Sequence, residues 1–322
     1  MMLPSRISIE DIRAAAKRLE GIALRTPLLP LDLRGVADGP QIYLKPESLQ
    51  PIGSFKLRGS ANALAQLDRA ALKRGVVTAS AGNMAQGVAW NARRLGVPAT
   101  VVVPDHAPRA KLDALDRLGA RIVPVPFDRW WQTLEERAYP GIEGTFVHPF
   151  ADPTVIAGNG TIGLEIVEDL PDVAAIVVPF GGGGLSTGIA SAVKSLKPGV
   201  TVFAAEVESG APMAASLAAG GPAAVNYQPS WVDGIAARTL FPGMWPLASS
   251  LLDGSIVVSL EQVAQAVRIL VSRARLIAEG AGAAALAASL TGEAGAGPLV
   301  AVVSGGNIDP QLLARILRGK NA

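Results

Sequence analysis

Between residues 75 and 138 the chain repeats one pattern three times: a short apolar run, then a longer segment with helical periodicity. The runs at 75–79, 99–103 and 121–125 fit strands, and 83–95, 108–118 and 130–138 fit helices. The pattern returns later, with helices predicted at 154–169, 185–196, 260–274 and 281–290 and strands at 174–178, 200–205 and 299–303. Ahead of it come a helix at 8–19 with Ser8 as its N-cap, a strand at 42–45 and a helix at 54–67. A helix that joins one strand to the next must cross over the sheet, so the strands run parallel and both faces are covered. The expected fold is therefore α/β, with two open, twisted parallel sheets. The proline-bearing stretch Pro149-Phe150-Ala151-Asp152-Pro153 marks a boundary. On this reading residues 75–149 form a small unit, and 1–74 with 150–322 form a large one. A chain of 322 residues can bury a core in each.

In an open parallel sheet, ligands bind where strands end and helices begin. Phe180-Gly181-Gly182-Gly183-Gly184-Leu185 follows a strand and opens a helix. Side-chain-free residues there let several backbone N–H groups converge on one anion, although a plain tight turn uses the same residues. The Gly-Lys-Ser/Thr end of a P-loop is missing, and the glycine spacing fits a dinucleotide fingerprint poorly. Ser80-Ala81-Gly82-Asn83-Met84 also joins a strand to a helix. Its N–H groups and the Ser80 hydroxyl suit a carboxylate, while Ser and Asn are equally favoured as ordinary caps. The third turn, Ser304-Gly305-Gly306-Asn307, ends the last strand and carries one hydroxyl. Lys56 stands at a helix start behind Gly53-Ser54-Phe55. Such a lysine is commonly a solvated charge, but a desolvated amine is a nucleophile toward aldehydes. An amine, a phosphate cradle, a carboxylate site and a lone hydroxyl together meet the needs of pyridoxal 5′-phosphate (PLP) acting on an amino acid.

Composition narrows the alternatives. There is no cysteine, hence no disulfide and no thiolate, and with only His106 and His148 a histidine-rich metal site is excluded. Both histidines are expected to be structural, and Trp130 and Trp131 to pack on a helix. The net charge of +2 and the lack of basic runs with interleaved aromatics argue against nucleic acid. Residues 1–24 carry charges throughout, with no apolar core of a signal peptide. The apolar stretch 173–193 is broken by Pro179 and four glycines, so it fits a strand, turn and helix rather than a membrane span. A cytoplasmic protein without a membrane partner is expected.

The chain resembles the fold-type II PLP enzymes (the tryptophan synthase β-like fold), within the threonine/serine dehydratase and serine racemase group. The resemblance runs through most of the sequence. It rests on Gly53-Ser54-Phe55-Lys56-Leu57-Arg58-Gly59, Ser80-Ala81-Gly82-Asn83, Val155-Ile156-Ala157-Gly158-Asn159-Gly160-Thr161, Gly181 to Gly184, Val232-Asp233-Gly234-Ile235-Ala236, Glu279-Gly280-Ala281-Gly282-Ala283 and Ser304-Gly305-Gly306-Asn307. It implies that Lys56 anchors the cofactor as a Schiff base and later takes the substrate's α-proton. It implies that Phe55 packs on the cofactor ring, Asn83 bonds the 3′-oxygen, Gly181, Gly182, Gly183, Gly184 and Leu185 hold the phosphate, and Ser304 meets the pyridine nitrogen. Ser80, Ala81, Gly82, Asn83 and Met84 are the implied substrate-binding residues. The implied activity is β-elimination from a β-hydroxy amino acid such as L-threonine or L-serine, giving a 2-oxo acid and ammonia. The neutral hydroxyl of Ser304 at the ring nitrogen leaves a weaker electron sink than an aspartate would, which favours prompt loss of the β-group. A homodimer or homotetramer is implied as well.

Departures from the group's pattern refine this expectation. Racemases place a second serine where this chain has Ala81, and an asparagine where it has Phe150. Both changes favour elimination over racemisation. Met84 replaces the usual histidine and either packs or enlarges the site for a bulkier or acidic 3-hydroxy amino acid. Glu206 matches one divalent-cation ligand of the group, but Gly210 and Pro212 cannot supply a second carboxylate and Glu208 is off-register, so no metal is expected. With 15 residues following Asn307, feedback through a C-terminal regulatory domain is not expected. The rival readings are an amino-acid racemase, a β-replacement enzyme, and a PLP-binding subunit without turnover.

Overall fold

The computed structural model describes residues 6–35 and 39–319. The first five residues of the stretch read above for a leader lie outside the described residues. The strands are β1 (Leu29–Pro30), β2 (Ile42–Pro46), β3 (Val76–Ala79), β4 (Ala99–Pro104), β5 (Arg121–Val125), β6 (Thr145–Phe146), β7 (Ala175–Pro179), β8 (Thr201–Val207), β9 (Gly254–Val258) and β10 (Leu299–Val303). The helices are α1 (Ile9–Leu19), α2 (Lys56–Ala65), α3 (Arg69–Arg74), α4 (Asn83–Leu95), α5 (Arg109–Arg117), α6 (Phe127–Glu136), α7 (Pro153–Asp169), α8 (Gly184–Leu196), α9 (Pro212–Ala219), α10 (Met244–Leu251), α11 (Leu260–Ile269), α12 (Gly280–Ser289) and α13 (Pro310–Leu317).

Two sheets form, as the alternation predicts. One has the order β1-β2-β10-β7-β8-β9, the other β5-β4-β3-β6. Every pairing is parallel except β1 with β2. β10, last in the chain, lies between β2 and β7, with Val303 opposite Pro46 and Ala301 opposite Val177. The sequence-predicted strands and helices are present: 83–95, 121–125 and 299–303 have the predicted ends, and, the helix at 260–274 apart, the others are shifted by at most three residues. The helix expected over 260–274 changes character: it is α-helical to Ile269, and Leu270–Ala274 is a π turn, closed by left-handed Arg275 and a Leu276 N–H donating to the Leu270 carbonyl. The short elements β1, β6, β9, α3, α9, α10 and α13 carried too little periodicity to be predicted.

Both faces of the large sheet are buried. One is covered by α11 and α12, the other by α1, α7, α8 and α10. The glycines of α7 decide how closely its neighbours approach. A Cβ at Gly158 would lie 2.6 Å from the Arg58 carbonyl of α2, and one at Gly188 of α8 would lie 2.5 Å from the Ile156 carbonyl of α7. Glycine at these contacts lets α2 and α8 close on α7 from two sides, which fixes the start of α2 relative to the start of α8.

A buried ionic cluster ties down the back of α2. Arg58 bonds both Glu47 (2.8 Å) and Glu165 (2.6 Å), and Lys45 pairs with Glu165 (2.6 Å) and the Thr26 carbonyl (2.7 Å). Residues two positions apart on a helix point about 200° apart, so anchoring Arg58 turns Lys56 the other way.

Candidate active site

Each predicted site residue sits just past the carboxyl end of a parallel strand. Lys56 follows β2 through a 3₁₀ turn (Glu47–Leu49), Ser304 follows β10, and the glycine turn follows β7. These three strands are neighbours. Ser80 to Met84 follow β3 in the other sheet. One cavity of about 450 Å³ is lined by Phe55, Lys56, Ser80, Ala81, Gly82, Asn83, Met84, Gly181, Gly182, Gly183, Gly184, Leu185 and Ser304. All the predicted residues thus share one pocket, of a size ordinary for a small ligand or cofactor.

The glycine turn has the form of an anion cradle. Gly183 has φ +83°, and its carbonyl is tied back by the Thr187 N–H (3.0 Å), the Thr187 hydroxyl (2.7 Å) and the Ser186 hydroxyl (3.1 Å). Among the described residues, the N–H groups of Gly181, Gly182 and Gly183 find no acceptor in the protein. They lie at the N-terminus of α8, where the helix dipole adds attraction for a negative charge. A Cβ at Gly182 would collide with the Phe150 ring.

Lys56 is the first residue of α2, and its amine donates to the Pro149 carbonyl over 2.5 Å, 5.0 Å from the centre of the Phe55 ring. The amine faces the cavity rather than bulk water. Burial pulls its pKa from 10.5 down to about 8, against the attraction of Glu279, which raises it. A neutral amine is therefore accessible near neutral pH. The Ser304 hydroxyl has no partner among the described residues, while its carbonyl accepts from the Phe55 N–H over 3.0 Å. Met84 is only 1 % exposed and packs with Ala85, Val88 and Leu64, so it forms wall rather than a projecting group.

Several residues matter here that the sequence reading left without a role. Glu279, N-cap of α12, lines the cavity and accepts from Asn83 Nδ2 over 2.7 Å. Burial pushes its pKa up to about 7; the Asn83 bond lowers it, Asp233 raises it, and Lys111 and Lys56 lower it. In sequence it stood in one of the motifs that carry the family resemblance, before a glycine-rich helix start, with no role of its own. Lys111 of α5 and Asp233 pair at 2.5 Å and join the two sheets' elements at the cavity. Trp130 lines the cavity as well as packing, whereas Trp131 packs on Phe241. His106 lies 3.3 Å from Asp105 at the cavity rim.

His148 is structural, as expected. Its Nδ1 accepts from the N–H groups of Phe150 (3.3 Å) and Ala151 (2.9 Å), shaping the turn that presents the Pro149 carbonyl to Lys56. Burial, then Arg137 and Lys56, push its pKa down to about 3, so it stays neutral. Glu206 caps α9: its carboxylate accepts from the N–H groups of Met213 (2.9 Å) and Ala214 (2.7 Å) and from Ser255 (2.7 Å). Among the described residues no cluster of His, Asp and Glu is arranged to hold a metal ion. No helix of the described residues is long and apolar enough to cross a membrane.

The fold and this pocket define a PLP-dependent enzyme: residues 19–305 match the family described as pyridoxal-phosphate dependent enzyme, and the chain belongs to it. Among curated proteins it is 44% identical to an L-threonine ammonia-lyase of Thermotoga maritima, over 97% of this chain and 78% of that one. It is 41% identical to an L-threonine ammonia-lyase of Geobacter sulfurreducens, over 95% and 77%. Among solved structures it is similar to maize serine racemase (TM-score 0.89, 30% identity, 98% of each chain). It is also similar to the processed form of threonine deaminase isoform 2 from Solanum lycopersicum (TM-score 0.86, 32% identity, 96% of this chain and 86% of that one).

Proposed function

We propose that the protein is a threonine/serine ammonia-lyase acting by β-elimination. The observation that carries the proposal is the sharing of one cavity by the Lys56 amine, the glycine cradle and the Ser80–Asn83 turn, with Ala81 rather than a hydroxyl beside them. When bound, PLP supplies the conjugated electron sink that lets an amino acid lose its α-proton. The cradle residues Gly181 to Leu185 would hold its phosphate, Asn83 and Ser304 would meet its ring, and Phe55 would pack beside it. N–H groups at the start of α4 and the Ser80 hydroxyl hold the substrate carboxylate.

Lys56 is the group placed to take the α-proton, since its lowered pKa allows it to act as a base near neutral pH. The β-hydroxyl departs as water, and hydrolysis of the released unsaturated amine returns that water, so the net products are a 2-oxo acid and ammonia. Ala81 has no proton to give to the opposite face, so return of a proton with inverted configuration is disfavoured.

The two-unit division, 75–149 against the rest, supports closure over the substrate: the carboxylate turn belongs to the small unit and the amine and cradle to the large one. Self-association is supported by Leu24, Leu49 and Ile277, which are half exposed on adjoining segments.

The test is product analysis on L-threonine, L-serine, 3-hydroxyaspartate and 3-phenylserine. A 2-oxo acid with little D-serine is expected. Comparable rates of D-serine and pyruvate formation would support the racemase reading instead, and equal activity on all four would remove any side-chain preference set by Met84 and Trp130.

A further inference from the structure

The hydrogen bonds around Asn83 run in one direction, and a group that cannot reverse sets that direction. The Ile52 carbonyl can only accept. Asn307 Nδ2 donates to it over 2.8 Å, so Asn307 must present its NH₂ there. The same nitrogen donates to Asn83 Oδ1 over 2.7 Å, which uses its second hydrogen. Asn83 must then turn its oxygen toward Asn307 and its NH₂ the other way, where it donates to Glu279 Oε1 over 2.7 Å. One hydrogen of Asn83 Nδ2 remains uncommitted on a residue that lines the cavity.

The backbone holds this relay from both sides. The Gly306 N–H donates to the Gly53 carbonyl (2.9 Å) and the Glu279 N–H to the Gly305 carbonyl (3.1 Å). A Cβ at Gly53 would lie 2.7 Å from Asn307 Oδ1, and one at Gly305 would collide with Glu279 Oε1. The segments bearing Lys56, Ser304 and Glu279 are thus stapled together, and Asn83, arriving from the other sheet, is received by that frame.

We propose that Asn307 and Glu279 are positioning residues that lock the Asn83 amide with an N–H toward the cavity, so that Asn83 serves only as a donor to an anionic oxygen of the ligand. The proposal rests on the PLP reading, in which that oxygen is the pyridine 3′-oxygen. A reversed amide would set one acceptor against another. Neither positioning residue needs to touch the cofactor.

The test titrates cofactor-free protein with PLP, following the visible band of the lysine-bound form and the quenching of tryptophan fluorescence. Wild type, Asn83→Ala, Asn307→Asp and the double variant are compared, each checked for folding by circular dichroism. Asn307→Asp keeps the size but removes both donors. Its PLP affinity should fall ~10-fold or more, as expected for loss of a charge-assisted bond. The balance of its absorption bands should shift in the same sense as in Asn83→Ala. Because Asn307 acts through Asn83, the double variant should bind within roughly 2–3-fold of Asn83→Ala. If Asn307→Asp does not fold, Asn307→Ser, which keeps one donor, should give an intermediate affinity. Wild-type affinity and spectrum in the Asn307 variants, or losses that multiply in the double variant, would overturn the proposal. Failure of the wild-type protein to form any visible band would overturn the PLP reading itself, and the proposal with it.

Discussion

The depressed proton affinity of Lys56 has a consequence that can be measured before any turnover. Only the neutral amine condenses with an aldehyde, so the rate of cofactor loading follows the neutral fraction. Burial holds Lys56 at about 8 instead of 10.5. At pH 8 about half of Lys56 is neutral, against roughly 0.3% of an ordinary lysine, a ratio on the order of 100-fold. Cofactor-free protein mixed with PLP at pH steps from about 6 to 10 should load with a midpoint near 8. A lysine-containing peptide measured in parallel removes the titration of PLP itself. Glu279 raises the Lys56 pKa, so Glu279→Gln should move the midpoint downward. The stability linkage has a definite sign. A lysine pKa lowered on folding means that the folded protein binds fewer protons than the unfolded chain above pH 8. This contribution to cofactor-free stability therefore rises as pH climbs from about 8 toward 10.5. A loading midpoint near 10, or an upward shift in Glu279→Gln, would show that Lys56 is not held deprotonated by burial.

Three further outcomes follow from the geometry. Gly182→Ala forces Phe150 to move and crowds the cradle, so PLP affinity should drop by at least ~10-fold with little loss of secondary structure, checked by titration and circular dichroism. Arg58→Ala leaves Glu47 buried without its cation and should cost about 3–5 kcal/mol of stability in denaturant unfolding, whether or not cofactor is bound. EDTA should leave activity intact, because the Glu206 carboxylate is engaged in capping α9 and accepting from Ser255; complete loss of activity would point to a divalent cation.

The frame of the fold was legible because crossovers impose it. Strand–helix alternation requires parallel sheets, and parallel sheets place ligand residues at strand ends, so Lys56, Asn83, the glycine turn and Ser304 stood out by position. Their convergence was legible only through their complementary chemistry and the resemblance to PLP enzymes; its geometry depends on β10 returning between β2 and β7, a long-range pairing that no local pattern encodes. Glu279 illustrates the rest. A lone glutamate ahead of Gly280-Ala281-Gly282 carries an ordinary helix-start signal, and its burial beside Asn83 follows only from tertiary packing. The same holds for Lys111 and Asp233, 122 residues apart in the chain and paired at the cavity. Trp130 was read as packing because a helical aromatic usually packs; here α6 also turns it into the cavity wall.

Lys56 has two proposed roles, anchoring the cofactor and removing the α-proton. Both are checked by assaying 2-oxo acid release from L-threonine with the PLP-loaded wild-type protein and Lys56→Ala. Wild type should release equal amounts of 2-oxo acid and ammonia, and the variant should show neither turnover nor the visible lysine-bound band. Turnover surviving in Lys56→Ala would contradict this assignment.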